Sequence, residues 1–263
     1  HIADNFYRIA TQHHVYCTGG TSNGEMWHAS NAIASQLGPA AEECCCSYNM
    51  MKLARHVYGW TGDPRIFDYY ERLMFNVRLG TQDPRGMLMY YVSLKPGYWK
   101  TFGTPLDSFW CCYGTGVEEY SKVNDSIYFH DDHNLYVNLF AGSELDWPEK
   151  GVTVVQDTNF PVGEGTTLTI KAQKPTRLGL KVRIPYWATK EVVFRINGKP
   201  HALHAEPSSY APLERTWHDG DKVEVKMPMT LHTCAAPDDS TVQAAMYGPL
   251  VFAGGMGHEG LTP

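Results

Sequence analysis

Apolar positions in the first half of the chain recur at helical spacing. Between Glu43 and Trp60, Met50, Leu53, Ala54, Val57 and Tyr58 fall close to a 3.6-residue period. "TGDP" (61–64) stops that pattern, because Gly62 ends one helix and Pro64 opens the next. A second stripe, Ile66, Phe67, Tyr70, Leu73, Met74 and Val77, runs from about Pro64 to Gly80. Short helices joined by short turns predict stacked αα-hairpins. "GMLMYYVSLKPGYWK" (86–100) reads instead as a strand pair or hairpin, closed by Pro-Gly, and a further helix is expected over Gly116–Tyr128.

The pattern changes after "HDDHN" (130–134). "LYVNLFAG", "GVTVVQDTNF", "TTLTIKAQ", "LGLKVRIPYW", "EVVFRING", "DKVEVKMPM" and "TVQAAMYGPLVFAG" are short alternating runs punctuated by Gly, Pro, Asn and Asp. Their spacing predicts about seven strands and a β-sandwich. Asn197-Gly198 within "INGK" marks a tight hairpin. At 263 residues the chain exceeds a usual single domain, so two are expected. The change of period places them at 1–130 and 131–263, an α + β multidomain chain.

Composition narrows the partners. A formal charge of −6 without Lys/Arg blocks argues against nucleic acid or an anionic membrane surface. No apolar run approaches the ~18 residues needed to cross a bilayer. Seven Trp and sixteen Tyr lean towards sugar binding, since ring faces pack on pyranose and furanose C–H groups; an aromatic β-rich core explains them equally well. The chain opens at His1, not Met, and reads at once as helix interior, so an earlier segment and an exposed apolar flank on the helical half are expected. Compartment and oligomeric state, a homo-oligomer included, are left open.

The seven cysteines are Cys17, Cys44-Cys45-Cys46, Cys111-Cys112 and Cys234. An odd count in adjacent clusters makes a poor disulfide framework and a better metal site. In "EECCCSYNMMKLAR" (42–55) Glu43 and Cys45 would lie about 200° apart on a helix. On an extended lead-in to a helix starting near Ser47 they share one side. "SFWCCYGTGVEEYSK" (108–122) repeats the arrangement, with Cys111 and Cys112 ahead of a Gly-containing turn and a helix. Helix N-termini favour thiolate and carboxylate anions. Together the two motifs supply one oxygen and three sulfurs for Zn2+, though buried core cysteines would also fit. The Gly-rich "CTGGTSNGEMW" (17–27) holds a single acid, Glu25. Shielding by Met26 and Trp27 would raise its pKa, as a general acid requires; a plain surface glutamate is the competing reading.

These motifs, with "TGDPRIFDYYERLMFNVRLGTQDP" and "LYVNLFAGSELDW", resemble in order and spacing glycoside hydrolase family 127, over nearly the whole chain. The resemblance implies part of an (α/α)6 barrel followed by a β-sandwich, and removal of terminal β-L-arabinofuranose with retention. It implies that Cys111 is nucleophile and zinc ligand, that Cys112, Glu43 and Cys45 complete the zinc set, and that Glu25 is the acid/base. The run of three cysteines leaves Cys44 or Cys46 as alternatives to Cys45. The implied partner is an arabinose-containing oligosaccharide or glycoconjugate, with Tyr90, Tyr91, Trp99 and Trp110 as candidates for the sugar-facing wall. Two rivals stand beside it: a carbohydrate-binding protein with a structural zinc site, and a thiol redox protein, which the lack of a C-x-x-C motif disfavours.

Overall fold

The computed structural model describes residues 1–257 and 259. Four α-helices come first: α1 (Ile2–His13), α2 (Cys44–Thr61), α3 (Arg65–Asn76) and α4 (Cys111–Tyr120). Helix α2 is central, packing against the other three. Its apolar stripe Met50, Met51, Ala54, Val57 and Tyr58 is buried with Ile66, Phe67, Tyr70 and Leu73 of α3 and Tyr7 and Ala10 of α1. The "TGDP" turn closes the α2/α3 hairpin as expected: Gly62 caps α2 in the left-handed region (φ 65°), where a side chain would be strained. On its outer side α1 leaves Ile2, Phe6 and Ile9 exposed.

Two helix starts differ from expectation. Helix α2 begins at Cys44, not near Ser47, because the Glu43 carboxylate caps it by accepting the Cys46 N–H at 2.8 Å. Helix α4 begins at Cys111 and stops at Tyr120; a 3-10 turn over Val123–Ser126 and strand β1 (Tyr128–His130) occupy the rest of the expected 116–128 helix. Gly114 falls in the expected Gly-containing turn, but the helix already runs through it and on through Gly116. At Gly116 the reason is packing: an added Cβ would lie 2.6 Å from Leu88 Cδ1, so glycine lets the 88–92 segment approach. That segment begins as one side of a short local hairpin, with Met87 accepting from Asp83 N–H and Met89 N–H donating to Thr81. Residues 88–92 lie between two distant stretches: Val92 N–H donates to Ala41, Cys44 N–H to Tyr90, and Gly103 N–H to Leu88.

Beyond residue 127 the described residues form three sheets, ordered β1-β2-β6-β9, β3-β4-β5-β10-β7-β8 and β11-β12-β13. The first contains β1, β2 (Asn134–Val137), β6 (Thr176–Ile184) and β9 (Ser209–Trp217). The second contains β3 (Ser143–Trp147), β4 (Val152–Asp157), β5 (Gly165–Ala172), β7 (Val193–Ile196), β8 (Lys199–His201) and β10 (Asp221–Lys226). The third contains β11 (Leu231–Ala235), β12 (Gln243–Tyr247) and β13 (Leu250–Val251). Alternate residues of the first two sheets share one core: Leu180 and Val182 of β6, Leu213 of β9, Val154 of β4, Ile170 of β5 and Val223 of β10. The β7–β8 hairpin turns at Asn197 and Gly198, both at positive φ, as Asn-Gly predicts.

A buried ionic junction joins the helices to the strands. Arg183 of β6, fully buried, donates to Asp68 and Glu71 of α3 and to the Asn138 carbonyl. Glu71 also accepts from Trp187 Nε1, and Asp68 from Ser208 and the Tyr186 N–H. Burial pushes both carboxylates upward, and Arg183 draws them back.

Candidate metal centre and acid/base site

Two helix N-termini converge on one spot. Glu43 stands at the cap of α2 and Cys45 in its first turn; Cys111 and Cys112 open α4. The Glu43 carboxylate and the sulfurs of Cys45, Cys111 and Cys112 all lie within 4.8 Å of one another. The two-residue spacing works because Glu43 has extended backbone (φ −55°, ψ 129°) while Cys45 is already helical, so the helical separation of side chains never applies. Cys112 donates to Glu43 Oε1 at 3.3 Å, and Cys45 lies 2.9 Å from Thr115 Oγ1. Cys44 is fully buried against Met89 and Cys112 and Cys46 is held towards Trp27, so neither joins the four.

The donor set suits zinc. Tetrahedral Zn–S bonds of about 2.3 Å require sulfurs about 3.8 Å apart, which lies within the 4.8 Å that bounds every pair of the four donors. Burial pushes the Cys45 thiol up to about 11, and burial with the nearby Glu43 charge pushes Cys112 up as well. Left to themselves these thiols stay protonated at neutral pH. A divalent cation reverses that preference, and both helix dipoles assist.

Glu25 reaches the same place from another loop. Asn23 and Met26 pair across a tight turn whose two central residues, Gly24 (φ 60°) and Glu25 (φ 64°), are both left-handed. A glutamate in that region is uncommon and marks a position where geometry outweighs backbone preference. The carboxylate of Glu25 accepts a hydrogen bond from the Tyr90 hydroxyl, and Cys111 Sγ lies 3.7 Å from that same hydroxyl. One expectation is corrected: Met26 and Trp27 do not shield Glu25, which is exposed along with both of them. Tyr90 packs on Tyr91 and meets Trp110 edge-on, and Trp110 packs in turn on Tyr113. Trp99 and Trp110 are exposed.

Sequence reasoning passed over Glu42. Its backbone is left-handed (φ 54°) and its side chain fully buried, accepting from Thr18 Oγ1 and the Gly20 N–H; one carboxylate oxygen has no partner. Burial pushes it up to about 8. With Ser22, which accepts the Glu43 N–H and whose carbonyl accepts the Glu42 N–H, it ties the Glu25 loop to the start of α2. Beneath α4, Arg78 and Glu119 form a second buried pair. The only visible signal was a doubled acid before the cysteines, which reads equally as a capping pair.

The catalytic-domain model of glycoside hydrolase family 127, β-L-arabinofuranosidase, matches residues 1–125, and the middle-domain model of the same family matches 134–229. The chain belongs to glycoside hydrolase family 127. Among solved structures it is similar to a GH127 β-L-arabinofuranosidase from Geobacillus stearothermophilus T6, with TM-score 0.79 and 23% identity over 93% of this chain and 41% of that one. It is also similar to a GH127 β-arabinofuranosidase, BT3674, with TM-score 0.82, 22% identity, and 94% and 42% coverage. A third, described as a glycoside hydrolase, gives TM-score 0.77, 21% identity, and 93% and 46% coverage. The chain thus spans under half the length of these proteins. No curated protein matches it.

Proposed function

We propose that this chain carries the reacting centre of a retaining glycoside hydrolase that releases terminal β-L-arabinofuranose from arabinose-containing glycans. In this reading residues 1–130 are part of an (α/α)6 barrel and residues 131–263 a β-sandwich packed against it. Glu43, Cys45, Cys111 and Cys112 are the zinc ligands, Cys111 is the nucleophile and Glu25 the acid/base. The observation that carries the proposal is the meeting of Glu25 and Cys111 at one hydroxyl, beside a four-donor cluster, in a chain matched by the family's catalytic-domain model.

Zinc held by these four residues supplies the positive charge that keeps the thiols ionised at neutral pH. In the first step the Cys111 sulfur attacks the anomeric carbon, the bond to the aglycone oxygen breaks, and Glu25 gives that oxygen its proton. A thioglycosyl intermediate results. In the second, water attacks the same carbon, the C–S bond breaks to return the Cys111 thiolate, and Glu25 accepts the water proton. Two inversions give retention. The exposed position of Glu25 leaves room for a sugar above Cys111 and keeps the carboxylate open to the proton exchange that both steps need.

The test is metal analysis beside turnover of alkyl and nitrophenyl β-L-arabinofuranosides by the full-length enzyme carrying this sequence. Glu25→Gln is expected to retain zinc and sugar binding and to lose about 10²-fold or more in alkyl glycoside turnover. Nitrophenolate leaves without protonation, so its kcat/KM falls far less. Unchanged alkyl glycoside turnover removes Glu25 from the mechanism. Zinc and sugar binding with no hydrolysis by the parent enzyme favours a carbohydrate-binding protein.

A further inference from the structure

We infer that Tyr90 is the residue that positions the acid/base: its hydroxyl pins one oxygen of Glu25 and fixes the carboxyl's placement relative to the Cys111 sulfur. The inference rests on the roles of Glu25 and Cys111 proposed above and adds a third side chain to them.

Glu25 needs such support. It sits at the tip of a two-residue turn, in left-handed backbone, with its side chain exposed. Glutamate has three side-chain torsions, and neither neighbour closes over it: Met26 is 62% exposed. Its carboxylate accepts the Tyr90 hydroxyl, and the hydroxyl of the adjacent Tyr91 also faces it; of the two, only Tyr90 touches Cys111 as well. An acid that must meet a leaving oxygen to within a few tenths of an ångström cannot be placed by that turn alone.

Tyr90 is placed firmly. Its backbone carbonyl accepts the Cys44 N–H at 2.9 Å, and its neighbour Tyr91 bridges to Glu43, so the tyrosine is fastened to the start of the helix bearing Glu43 and Cys45. Its ring lies between Tyr91, at 4.5 Å, and Trp110, at 6.1 Å, the latter the residue before Cys111. The phenol therefore moves with both cysteine-bearing helix starts. It transmits their position to a loop that is otherwise joined to them through residues 18–23 and 41–43. The 3.7 Å contact from Cys111 to the same oxygen sets the reach: one phenol oxygen touches nucleophile and acid alike.

The arrangement serves both half-reactions. A carboxyl group whose first oxygen accepts from a phenol presents its second to the aglycone, protonated in the first step and ionised in the second. Tyr90 needs no change of protonation in either, so its part is to position Glu25 against the sulfur it also touches.

Tyr90→Phe in the full-length enzyme isolates the hydroxyl, since the ring keeps its packing against Tyr91 and Trp110. Zinc content, KM and kcat are measured for an alkyl and a nitrophenyl β-L-arabinofuranoside, beside the parent and Glu25→Gln. Tyr90→Phe is expected to retain zinc and KM and to lower kcat/KM for the alkyl glycoside by about tenfold or more, with little change for the nitrophenyl one. Misplacement of the acid predicts that split; a general loss of structure does not. Equal losses on both substrates, or loss of zinc, overturn the inference and move Tyr90 to the nucleophile or to folding. So does full alkyl glycoside activity in Tyr90→Phe. If Glu25→Gln itself shows no leaving-group dependence, the assignment of Glu25 has failed, an outcome distinct from failure at Tyr90.

Discussion

Arg183 offers a stringent test of how the helical and strand-bearing parts are joined. Its guanidinium, fully buried, serves two carboxylates at once, Asp68 and Glu71, and donates its Nε–H to the Asn138 carbonyl. Arg183→Met keeps most of the volume and removes the only cation in hydrogen-bonding contact with either carboxylate among the described residues. What remains is a buried pair of acids with neutral donors: Trp187 on Glu71, and Ser208 and the Tyr186 N–H on Asp68. Removing one partner of a buried ion pair costs about 3–5 kcal/mol, and with two acids orphaned the loss should lie at the upper end.

The same loss has a pH signature. Burial already pushes Asp68 and Glu71 up, with Arg183 opposing it; without Arg183 both rise further. In the unfolded chain they titrate at about 3.9–4.3. From there up to the raised folded values the folded state holds more protons than the unfolded one, so stability falls as pH rises. The deficit of Arg183→Met should therefore be smaller near pH 5 and larger at pH 7. Urea denaturation followed by the fluorescence of buried Trp187 and Trp217 measures it at both. Adding Asp68→Asn and Glu71→Gln should recover much of the loss, because removing all the charges costs less than stranding two. A deficit below about 1 kcal/mol at pH 7, or one identical at both pH values, would refute the reasoning.

Within the cysteine run, Cys45→Ser should cut zinc affinity at least tenfold while Cys44→Ser and Cys46→Ser keep stoichiometric metal, read by equilibrium metal analysis; equal loss in all three would contradict the geometry. Gly20→Ala places a Cβ 2.3 Å from the Glu42 carboxylate, which is buried and has nowhere to move. It should cost about 1–3 kcal/mol in urea denaturation and lower alkyl glycoside turnover by displacing the Glu25 turn, whereas Gly24→Ala, with open space at its Cβ but left-handed backbone, should cost about 1 kcal/mol through backbone strain and leave the loop's packing on Glu42 intact.

Much of the fold was legible because periodicity reports burial. The stripes of α2 and α3 and the alternation of β4, β5, β6 and β10 all face cores. Strand β9 escaped notice since it contains Pro212, which argues against a central strand; β9 lies at a sheet edge, paired with β6 alone, where a missing N–H is tolerated. The helix starts were misplaced for a related reason. Propensity argued against Gly114 in a helix, yet α4 runs through it and on through Gly116, where glycine permits close packing on Leu88. Segment 86–100 has β composition and pairs locally with 81–83, but its other partners are residues 41–44 and 102–103, and no local pattern names a distant partner.

The candidate site divides in the same way. The four donors are visible as residue types at short spacing, since metal ligation demands particular atoms. What brings them together is invisible in spacing: a non-helical cap at Glu43, a buried Glu42 fastening the Gly-rich loop, and Tyr90 delivered by an irregular segment. Each of these depends on a backbone conformation or a contact between parts far apart in the chain. Glu42 and Glu43 make the point in two adjacent residues of one type. A left-handed φ at the first buries its carboxylate beneath the loop, and extended backbone at the second turns its carboxylate to the thiols. Exchanging those roles would bury the donor and expose the anchor, so the two torsions at 42 and 43, more than the residue types, decide which acid faces the three sulfurs.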